Sequence, residues 1–348
     1  MDYPATLEYL FARLPMFSRI GKAAYKADLD NTHALMAMLD HPERGLRCVH
    51  VAGTNGKGST SHLLASILQE AGLRTGLYTS PHLKDFRERI RVNGAMIPEA
   101  AVTAFVELYR DRFEPITPSF FEWTVALAFD HFRTVGTDIA VIETGLGGRL
   151  DSTNVVTPEV SVITNIGWDH ADLLGGSLQA IAREKAGIIK RGVPVVVGGF
   201  HPSALPDEAQ RFADSVGVGE AEGIWAEVLD DLAYHTLRPR YIAERGPLAA
   251  IRVDRSLFAD RRYLPIGLVE TGRGCRFPCE FCSIQSFFGR SHRNRPIASV
   301  IDELRALKSQ KRLFFFVDDN FAGDLKAGKE LLPELARLDI RWITQISI

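Results

Sequence analysis

A glycine-rich segment near the N-terminus has the residue types of a phosphate-binding loop. It reads VHVAGTNGKGST over residues 49–60, between an apolar strand pattern and a helical pattern. Backbone N–H groups at a helix N-terminus favour anions, a lysine can reach the outer phosphates and a hydroxyl can bind magnesium. Gly58 separates Lys57 from Ser59, so the strict Walker spacing is absent and a glycine-rich turn without ligand is the alternative. The residues expected to contact the phosphates are Gly53, Thr54, Asn55, Gly56, Lys57, Gly58, Ser59 and Thr60.

More polar side chains follow apolar strands further along the chain. Ser80 and His82 occur in LYTSPHL, Glu143 ends DIAVIE, and Asp169 and His170 occur in TNIGWDH. Because the carboxyl ends of parallel strands meet at one edge of a sheet, we expect these residues to converge above the phosphate loop. Oxygen ligands beside a triphosphate predict magnesium. Each residue alone could equally cap or turn the chain, and for His82 the two interpretations are balanced.

A second candidate chemistry lies in a cysteine cluster near the C-terminus. Cys275, Cys279 and Cys282 have C-x3-C-x2-C spacing in a loop after a predicted strand. Three thiolates on one loop can bind three irons of a [4Fe-4S] cluster and leave the fourth iron open. Zinc with His292 as the fourth ligand is the alternative, although structural zinc sites usually have paired C-x2-C spacings. Cys48 stands apart in an apolar strand and is predicted to be a buried, unreactive thiol.

The elements that must position these residues follow an α/β pattern. Over residues 47–199, short apolar runs alternate with helical patterns, which predicts a parallel sheet with helices on both faces. The segment VPVVVG is predicted to complete this sheet, although the same residues could begin a second one. After residue 262 the pattern resumes with three strands, YLPIGLVET, RLFFFVDD and RWITQISI. Helices over about 296–309 and 325–338 are predicted between them.

Composition narrows the class of partner. The 348 residues are 46% hydrophobic and 24% charged, which is typical of a globular protein with two or three cores. A net charge of −2 provides no basic surface for nucleic acid, so small-molecule substrates are expected. No signal peptide and no apolar run of about eighteen residues occurs. We therefore predict a cytoplasmic monomer without a membrane or nucleic-acid partner.

The motifs of the first half resemble one enzyme family. TNGKGS, YTSPHL, FRERIRVNG, FFEWT, ETGLGGRLDSTN, ITNIGWDH and IAREKAGIIK closely resemble the N-terminal ATPase domain of folylpolyglutamate synthase/dihydrofolate synthase, in the Mur ligase superfamily. The resemblance covers about residues 1–197. It implies an ATP-dependent ligase of folate biosynthesis, in which a pteroate or folate carboxylate is phosphorylated and the amine of glutamate attacks the acyl phosphate.

This resemblance also implies roles for individual residues. Lys57, Lys185 and His170 match catalytic positions, and Lys185 matches a lysine that the family often carbamylates, which places a carboxylate-like group beside the metal. Its neighbour Glu184 is expected to lie on the helix surface. The implied magnesium ligands are Ser59, Ser80, Glu143 and His170, and the residues associated with the pterin are Phe121 and Asp151.

The motifs of the second half resemble a different family. ETGRGCRFPCEFCS, RNRP, VDDNF and RWITQISI resemble the cobalamin-associated branch of the radical SAM superfamily, and residues 198–232 resemble the end of its cobalamin-binding domain. The resemblance implies a [4Fe-4S] cluster on the three cysteines and S-adenosylmethionine in contact with Phe281, Asp319 and Asn320. Asp319 and Asn320 could equally form a simple turn. Cobalamin itself is not expected, because the early strands and the cobalt-ligating loop are missing.

Together the two resemblances predict three segments. Residues 1–197 form the ATP-binding domain, 198–258 a remnant of a cobalamin-binding domain with a linker, and 259–348 a partial (β/α) radical SAM barrel with three β/α units. Each family pattern is incomplete, which suggests a fusion of two gene fragments, and the open edge of an unfinished barrel predicts aggregation. An impaired ligase is the first expected function, a radical SAM module the second and an inactive fusion the third.

Overall fold

The computed structural model describes residues 1–15, 28–168, 170–248, 265–280 and 282–346. The chain divides into two compact units, Met1–Val193 and Pro194–Ile348. The boundary that we predicted after residue 197 lies slightly downstream of this division.

The first unit contains a six-stranded sheet in the order β4-β3-β2-β5-β1-β6. Strands β1, β2, β5 and β6 run parallel, and Val51 at the end of β1 pairs with Glu143 of β5 and with Val162 of β6. This register brings the carboxyl ends of the three strands to one edge. The strands are β1 (Cys48–Ala52), β2 (Thr75–Tyr78), β3 (Ile90–Val92), β4 (Ala95–Met96), β5 (Ile139–Glu143) and β6 (Val160–Ile163).

The prediction of an entirely parallel sheet is wrong, because β3 and β4 are antiparallel additions at one edge. Asn93 and Gly94 both have positive φ, 47° and 76°, and form the two-residue turn between β3 and β4. Asn-Gly is a favoured dipeptide for such hairpins. The connection from β2 to β3 contains only a short 3-10 helix, Phe86–Arg89, and no crossover helix. The sheet is therefore mixed.

Helices cover both faces of this sheet, as predicted. Alternating residues on each strand point to opposite faces. Val51, Leu77 and Val141 pack with Ala65 of α3 on one face. The opposite face packs against α1, α2, α4 and α5 and includes Cys48, whose burial raises the pKa of its thiol to about 12. The helices are α1 (Tyr3–Arg13), α2 (Asp30–Met38), α3 (Lys57–Glu70), α4 (Glu99–Phe113), α5 (Phe120–Val135), α6 (Ala171–Leu174) and α7 (Leu178–Ala186).

Within its described residues, the second unit contains two parallel three-stranded sheets and a short antiparallel pair, in the orders β7-β8-β9, β10-β13-β14 and β11-β12. The strands are β7 (Val196–Val197), β8 (Ser215–Val218), β9 (Arg240–Ile242), β10 (Ile266–Val269), β11 (Gly272–Arg273), β12 (Arg293–Asn294), β13 (Leu313–Phe316) and β14 (Trp342–Thr344). The helices are α8 (Phe200–Ala204), α9 (Pro206–Gln210), α10 (Trp225–Ala233), α11 (Ile284–Phe288), α12 (Ile297–Lys308) and α13 (Leu325–Arg337).

Strand β7 corrects one prediction. The segment VPVVVG does not complete the first sheet, because Val196 and Val197 pair with Ser215 and Val216 of β8. The N–H of Val195 donates to the carboxylate of Asp214 at 2.8 Å, which fixes the same neighbour. A buried parallel strand has the same apolar pattern in any parallel sheet, so the sequence of β7 could not show which of the two sheets it joins.

The three strands predicted after residue 262 are present as β10, β13 and β14, joined by α12 and α13. Their core includes Leu304, Phe314, Phe316 and Leu335. No helix within the described ranges is long and apolar enough to cross a membrane.

Candidate functional site

The loop between β1 and α3 is held tightly against the loop that follows β6. Gly53 has φ of 150°, and a Cβ atom there would lie 1.9 Å from Oγ1 of Thr164, so only glycine fits. Gly56, with φ of 80°, is the residue before α3. Asn55 and Gly56 are exposed, which leaves the outer face of the loop open to a ligand. A loop of this kind at a helix N-terminus presents N–H groups to an anion.

Two lysines contact the same atom of this loop. Nζ of Lys57 donates to the carbonyl oxygen of Gly53 at 3.0 Å, and Nζ of Lys185 donates to it at 2.9 Å from 132 residues further along the chain. Lys185 is buried, with 2% of its surface exposed. Two ammonium groups beside the phosphate loop create a positive site where the phosphates of a nucleotide would lie.

Residues after β6 complete the loop, and the sequence motif gave them no role. The carbonyl oxygen and side-chain Oδ1 of Asn165 accept from the N–H groups of Thr54 and Asn55 at 3.0 and 2.8 Å. Oγ1 of Thr164 donates to the carbonyl oxygen of Asn55 at 2.6 Å. Their position directly after an apolar strand was the available signal.

Glu143 lies at the end of β5, buried beside the start of α3. Its Oε2 accepts from the N–H of Ser80 at 3.0 Å, and its Oε1 lies 3.7 Å from the position of a Cβ atom built on Gly58. Burial raises the pKa of Glu143 to about 7, while the Ser80 N–H and the charge of Lys57 act to lower it. The structure thus brings Ser80 and Glu143, which follow neighbouring strands, into contact.

The other two predicted magnesium ligands lie at exposed helix starts. Ser59 is in the first turn of α3, and His170, with φ of 46°, is the residue before α6. Within the described ranges, no three His, Cys, Asp or Glu side chains form a group that could hold a metal ion. Magnesium bound with a nucleotide usually takes only one or two carboxylates, together with phosphate oxygens and water. A single carboxyl, Glu143, beside the phosphate loop fits that pattern.

The position of Lys185 is set by packing at the end of α7. A Cβ atom on Gly148 would lie 2.8 Å from the carbonyl oxygens of both Glu184 and Lys185, so the loop after β5 approaches the helix backbone closely. The N–H of Arg149 donates to the Glu184 carbonyl at 2.7 Å, and its Nη2 pairs with Oε1 of Glu184 at 2.8 Å. Glu184 is partly exposed at the helix surface, as expected, and its side chain forms an exposed ion pair with Arg149. It anchors α7 and thereby holds Lys185 at the loop.

Phe121 and Asp151 meet at Gly145, two residues after Glu143. A Cβ atom on Gly145 would lie 2.6 Å from Cζ of Phe121. Oδ2 of Asp151 accepts from the N–H groups of Gly145 and Leu146, both at 2.9 Å. Burial raises the pKa of Asp151, against the lowering effect of its hydrogen bonds. Asp151 thus positions the loop, and Phe121 lies against it.

Under this loop, Thr153 links Asp151 to a buried histidine. The N–H of Thr153 donates to Oδ1 of Asp151 at 3.0 Å, and its Oγ1 lies 2.8 Å from Nε2 of His50. Burial lowers the pKa of His50 to about 3, so the ring is neutral. The network supports the site from within the core.

Arg89 is a site residue that the sequence reasoning missed. It is 7% exposed, and its Nε donates to Nδ1 of His82 at 2.8 Å. Its guanidinium carbon lies 5.1 Å from the centroid of the Phe120 ring. The only signal for a role of Arg89 was the occurrence of arginines in the otherwise strand-like segment FRERIRV.

The cysteine loop of the second unit is less complete. Cys275, Cys279 and Cys282 are each partly exposed, and none belongs to a group of three metal-ligating side chains within the described ranges. In the described structure the three thiols are therefore not gathered as the ligands of one cluster or one zinc ion. His292 is buried against Gly272 and lies outside any such group.

Neighbouring residues of the cysteine loop hold its backbone. Asp319 accepts from the N–H of Gly274 at 2.8 Å, and Nδ2 of Asn320 lies 3.6 Å from Sγ of Cys275. Phe281, the remaining residue assigned to S-adenosylmethionine, lies outside the described residues. Asp319 and Asn320 therefore position the loop, as turn residues would.

The family model that matches this chain covers most of the first unit and only the first residues of the second. Residues 51–198 match the family model of the Mur ligase middle domain. The chain is 46% identical over 202 residues to the dihydrofolate synthase/folylpolyglutamate synthase of Bacillus subtilis (strain 168), a match that covers 55% of this chain and 47% of that protein. The chain spans about half the length of the curated relatives it matches.

Solved structures of folylpolyglutamate synthases are similar to this chain as well. A folylpolyglutamate synthase complex with AMPPCP and folate shares 36% identity and a TM-score of 0.53 with this chain, over 70% of this chain and 55% of its own. A mutant of L. casei folylpolyglutamate synthase aligns with 99% of this chain and 96% of its own, at 26% identity and a TM-score of 0.56.

These matches support the predicted relation to the folylpolyglutamate synthase/dihydrofolate synthase family of Mur ligases and its mixed α/β sheet. They give no support to the resemblance of residues 198–348 to radical SAM and cobalamin-binding proteins.

Proposed function

We propose that residues 1–193 form the ATP-binding part of a ligase that adds glutamate to dihydropteroate or folate through an acyl phosphate. The observation that carries the proposal is the convergence of Lys57 and Lys185 on the carbonyl oxygen of Gly53, beside the buried carboxyl of Glu143. A loop with two ammonium groups suits a polyphosphate, and a carboxyl next to it suits the accompanying cation. The relatives named above support the choice of reaction.

The residues of the candidate site have different roles in the proposed phosphoryl transfer. The N–H groups of the phosphate loop and the ammonium of Lys57 hold the phosphates, and their placement before the reaction lowers the cost of the charge that develops. Magnesium, when bound, would neutralise phosphate charge, and Ser59, Ser80, Glu143 and His170 are the residues proposed to hold it. Lys185 fixes the loop through Gly53. Carbamylation of Lys185, which the resemblance implies, remains a prediction; it would replace this ammonium with a carboxylate-like group and leave Lys57 as the cation of the loop.

The acyl substrate is proposed to lie on the side of Glu143 away from the phosphate loop. There Phe121 covers Gly145, and Asp151 holds the backbone of the same loop. The flat apolar face of Phe121 suits a pterin or aryl ring. In this arrangement Phe121 contacts the pterin, and Asp151 acts by positioning the loop.

The test is product formation by the full chain. Purified protein is incubated with Mg-ATP, dihydropteroate and glutamate, and dihydrofolate and ADP are measured by chromatography with mass spectrometry. We expect Mg-ATP binding and slow, equimolar formation of both products, with both lost in Lys57→Ala. ADP release that is independent of dihydropteroate, or no nucleotide binding at all, would overturn the proposal.

A second candidate concerns the second unit only. The cysteine loop directly follows β10, the first of three parallel strands in sequential order, and Asp319 and Asn320 hold it. This placement favours the iron–sulfur module that binds S-adenosylmethionine, although the thiols do not form a metal group as described. Anaerobic reconstitution is expected to give about four irons per chain and a visible absorbance that Cys279→Ala abolishes. Iron at background level, or absorbance unchanged by the substitution, would remove this candidate.

An inactive fusion of two gene fragments is the third proposal. It rests on the change of sequence pattern near residue 197, from ligase-like motifs to radical SAM-like motifs. A contiguous DNA read across codons 190–205 should contain the join. Its absence from such a read would identify an artefact, and intact homologues with the same join would exclude an accidental fusion.

A further inference from the structure

Arg89 is a buried cation at the edge of the candidate site. It ends the 3-10 helix Phe86–Arg89, directly before β3, and its carbonyl oxygen accepts from the N–H of Thr79 at the end of β2. Only 7% of its surface is exposed. Its backbone is therefore fixed, and its guanidinium is held inside the protein.

The partners of this guanidinium are all uncharged. Nε donates to Nδ1 of His82 at 2.8 Å, the Phe120 ring lies under it at 5.1 Å, and Tyr78 is its other polar neighbour. Within the described ranges, no carboxylate forms an ion pair with it. Arg295 is equally buried, but its charge is paired, as is usual for a buried arginine: it lies 2.7 Å from Oε2 of Glu303. The carboxyl of Glu143 acts on Arg89 only without contact, and a buried charge without a paired counter-ion is costly, which is a reason to look for an anionic ligand.

His82 supports the same interpretation. Burial and the charge of Arg89 both lower the pKa of His82, which keeps the ring neutral and Nδ1 able to accept. The contact occupies Nε of Arg89, and the Tyr78 hydroxyl also interacts with the guanidinium, so its remaining N–H groups are the ones left for a ligand. These are the groups that bind a carboxylate in bidentate fashion.

The surroundings of Arg89 suit an aryl carboxylate. Phe120 lies under the guanidinium, and the ring of the adjacent Phe121 lies 6.1 Å from that of Tyr78 and against Gly145. The charge of Arg89 also acts on Glu143 at the phosphate loop. Aromatic rings, a cation and the phosphoryl site thus lie along one edge of the sheet.

We propose that Arg89 binds the carboxylate of the acyl substrate and holds it for phosphorylation, with His82 as its positioning residue. The inference rests on the proposed ligase function. It assigns the anionic end of dihydropteroate to Arg89 and the aromatic part to the Phe120 and Phe121 side.

The experiment compares a carboxylate with its neutral analogue. Calorimetry measures the binding of dihydropteroate and of its primary amide to the full chain, in the wild type, Arg89→Met, Arg89→Lys and the control Arg87→Met. Arg87 lies two residues away and pairs with Asp85 at 2.6 Å. Mg-ATP affinity and thermal unfolding are measured in parallel as readouts of an intact fold.

The expected result is a preference of the wild type for the acid over the amide by about 10- to 100-fold, typical of a charge-assisted pair. Arg89→Met should abolish this preference, Arg89→Lys should reduce it because lysine lacks the planar fork, and Arg87→Met should retain it. Mg-ATP affinity should change less than about twofold in each variant. If Arg89→Met fails to fold, Arg89→Lys decides the question.

Three outcomes would overturn the assignment. An acid preference retained in Arg89→Met, or in Arg89→Lys at wild-type strength, would show that the guanidinium does not bind the carboxylate. Equal binding of acid and amide by the wild type would show the same. Binding of neither compound by a wild type that still binds Mg-ATP would overturn the proposed substrate, and the role of Arg89 with it.

Discussion

The phosphate loop of the first unit and the cysteine loop of the second both follow a parallel strand, yet only the first gathers its reactive side chains. Lys57 and Lys185, far apart in the chain, donate to one carbonyl oxygen. Three cysteines within eight residues form no metal-ligating group within the described ranges. Closeness in sequence is therefore a weaker guide to a site than convergence of separate elements.

The difference has a physical cause in the supporting contacts. Strands β5 and β6 flank β1 and deliver Glu143, Thr164 and Asn165 to the phosphate loop at fixed register. The cysteine loop receives Asp319 and Asn320 from the end of β13, and these contact its backbone and one thiol. Substitutions in the first loop should consequently have larger effects than substitutions in the second.

Lys57→Ala is expected to have the largest effect, because it removes a charge that is proposed to contact phosphate and that donates to the Gly53 carbonyl. Mg-ATP affinity or turnover should fall by about 10²- to 10³-fold. Calorimetry and ADP release measure this, with the exposed Lys84→Ala as the matched control. Equal losses in both variants would mean that general charge, and not the loop, attracts the nucleotide.

Gly53→Ala should have the second-largest effect, because the added Cβ atom would collide with Thr164. Mg-ATP affinity should fall by about 10- to 100-fold as the loop is forced to move. Gly72→Ala is the matched control, since Gly72 also has positive φ, 83°, but open space around its Cβ position. Gly72→Ala should cost only about 1 kcal/mol of stability and leave nucleotide affinity unchanged. Similar affinity losses in both would contradict the role assigned to the close approach.

Glu143→Gln tests whether the buried carboxyl of Glu143 makes the unfolding free energy depend on pH. Burial raises the pKa of Glu143 from 4.5 to about 7. A raised carboxyl pKa stabilises the folded state below pH 4.5, and this contribution is lost as pH rises to 7. Without nucleotide, the wild type should lose up to about 3 kcal/mol more of its unfolding free energy between pH 4.5 and 8 than the glutamine variant. Urea unfolding at both pH values measures the difference, and identical pH dependence would contradict a buried protonated carboxyl.

Cys279→Ser should have the smallest effect. With no metal group formed by the cysteines, thermal unfolding and Mg-ATP affinity of the protein as purified should stay within about 0.5 kcal/mol of wild type. Scanning calorimetry and nucleotide titration measure this. A large loss of stability would show that the thiol already has a structural partner.

The sequence allowed the local elements to be predicted, because strand and helix periodicity depends on neighbouring residues. The phosphate loop, α3, α12 and α13 lie where they were expected. The hairpin that makes the first sheet mixed was missed, although Asn93-Gly94 carried its signal. The strand that pairs with β7 could not be predicted from the sequence, because the same valine-rich strand could belong to the first sheet or to the second.

The missed site residues share a different cause. The pairing of Glu184 with Arg149 and the contact of Arg89 with His82 depend on loops that meet only in the folded chain. A charged residue in a motif gives no sign of whether it faces solvent, a counter-ion or a ligand. The residue types of the site could be predicted, but their partners could not.

Hydrogen–deuterium exchange of the full chain, with and without Mg-ATP, tests the central claim most directly. It reads the backbone N–H groups of both loops in one experiment without any substitution. We predict that the nucleotide slows exchange in peptides that cover residues 50–62 and 161–168, while peptides from 265–280 are unchanged. Unchanged exchange at 50–62, or protection confined to the second unit, would contradict a nucleotide site at the phosphate loop.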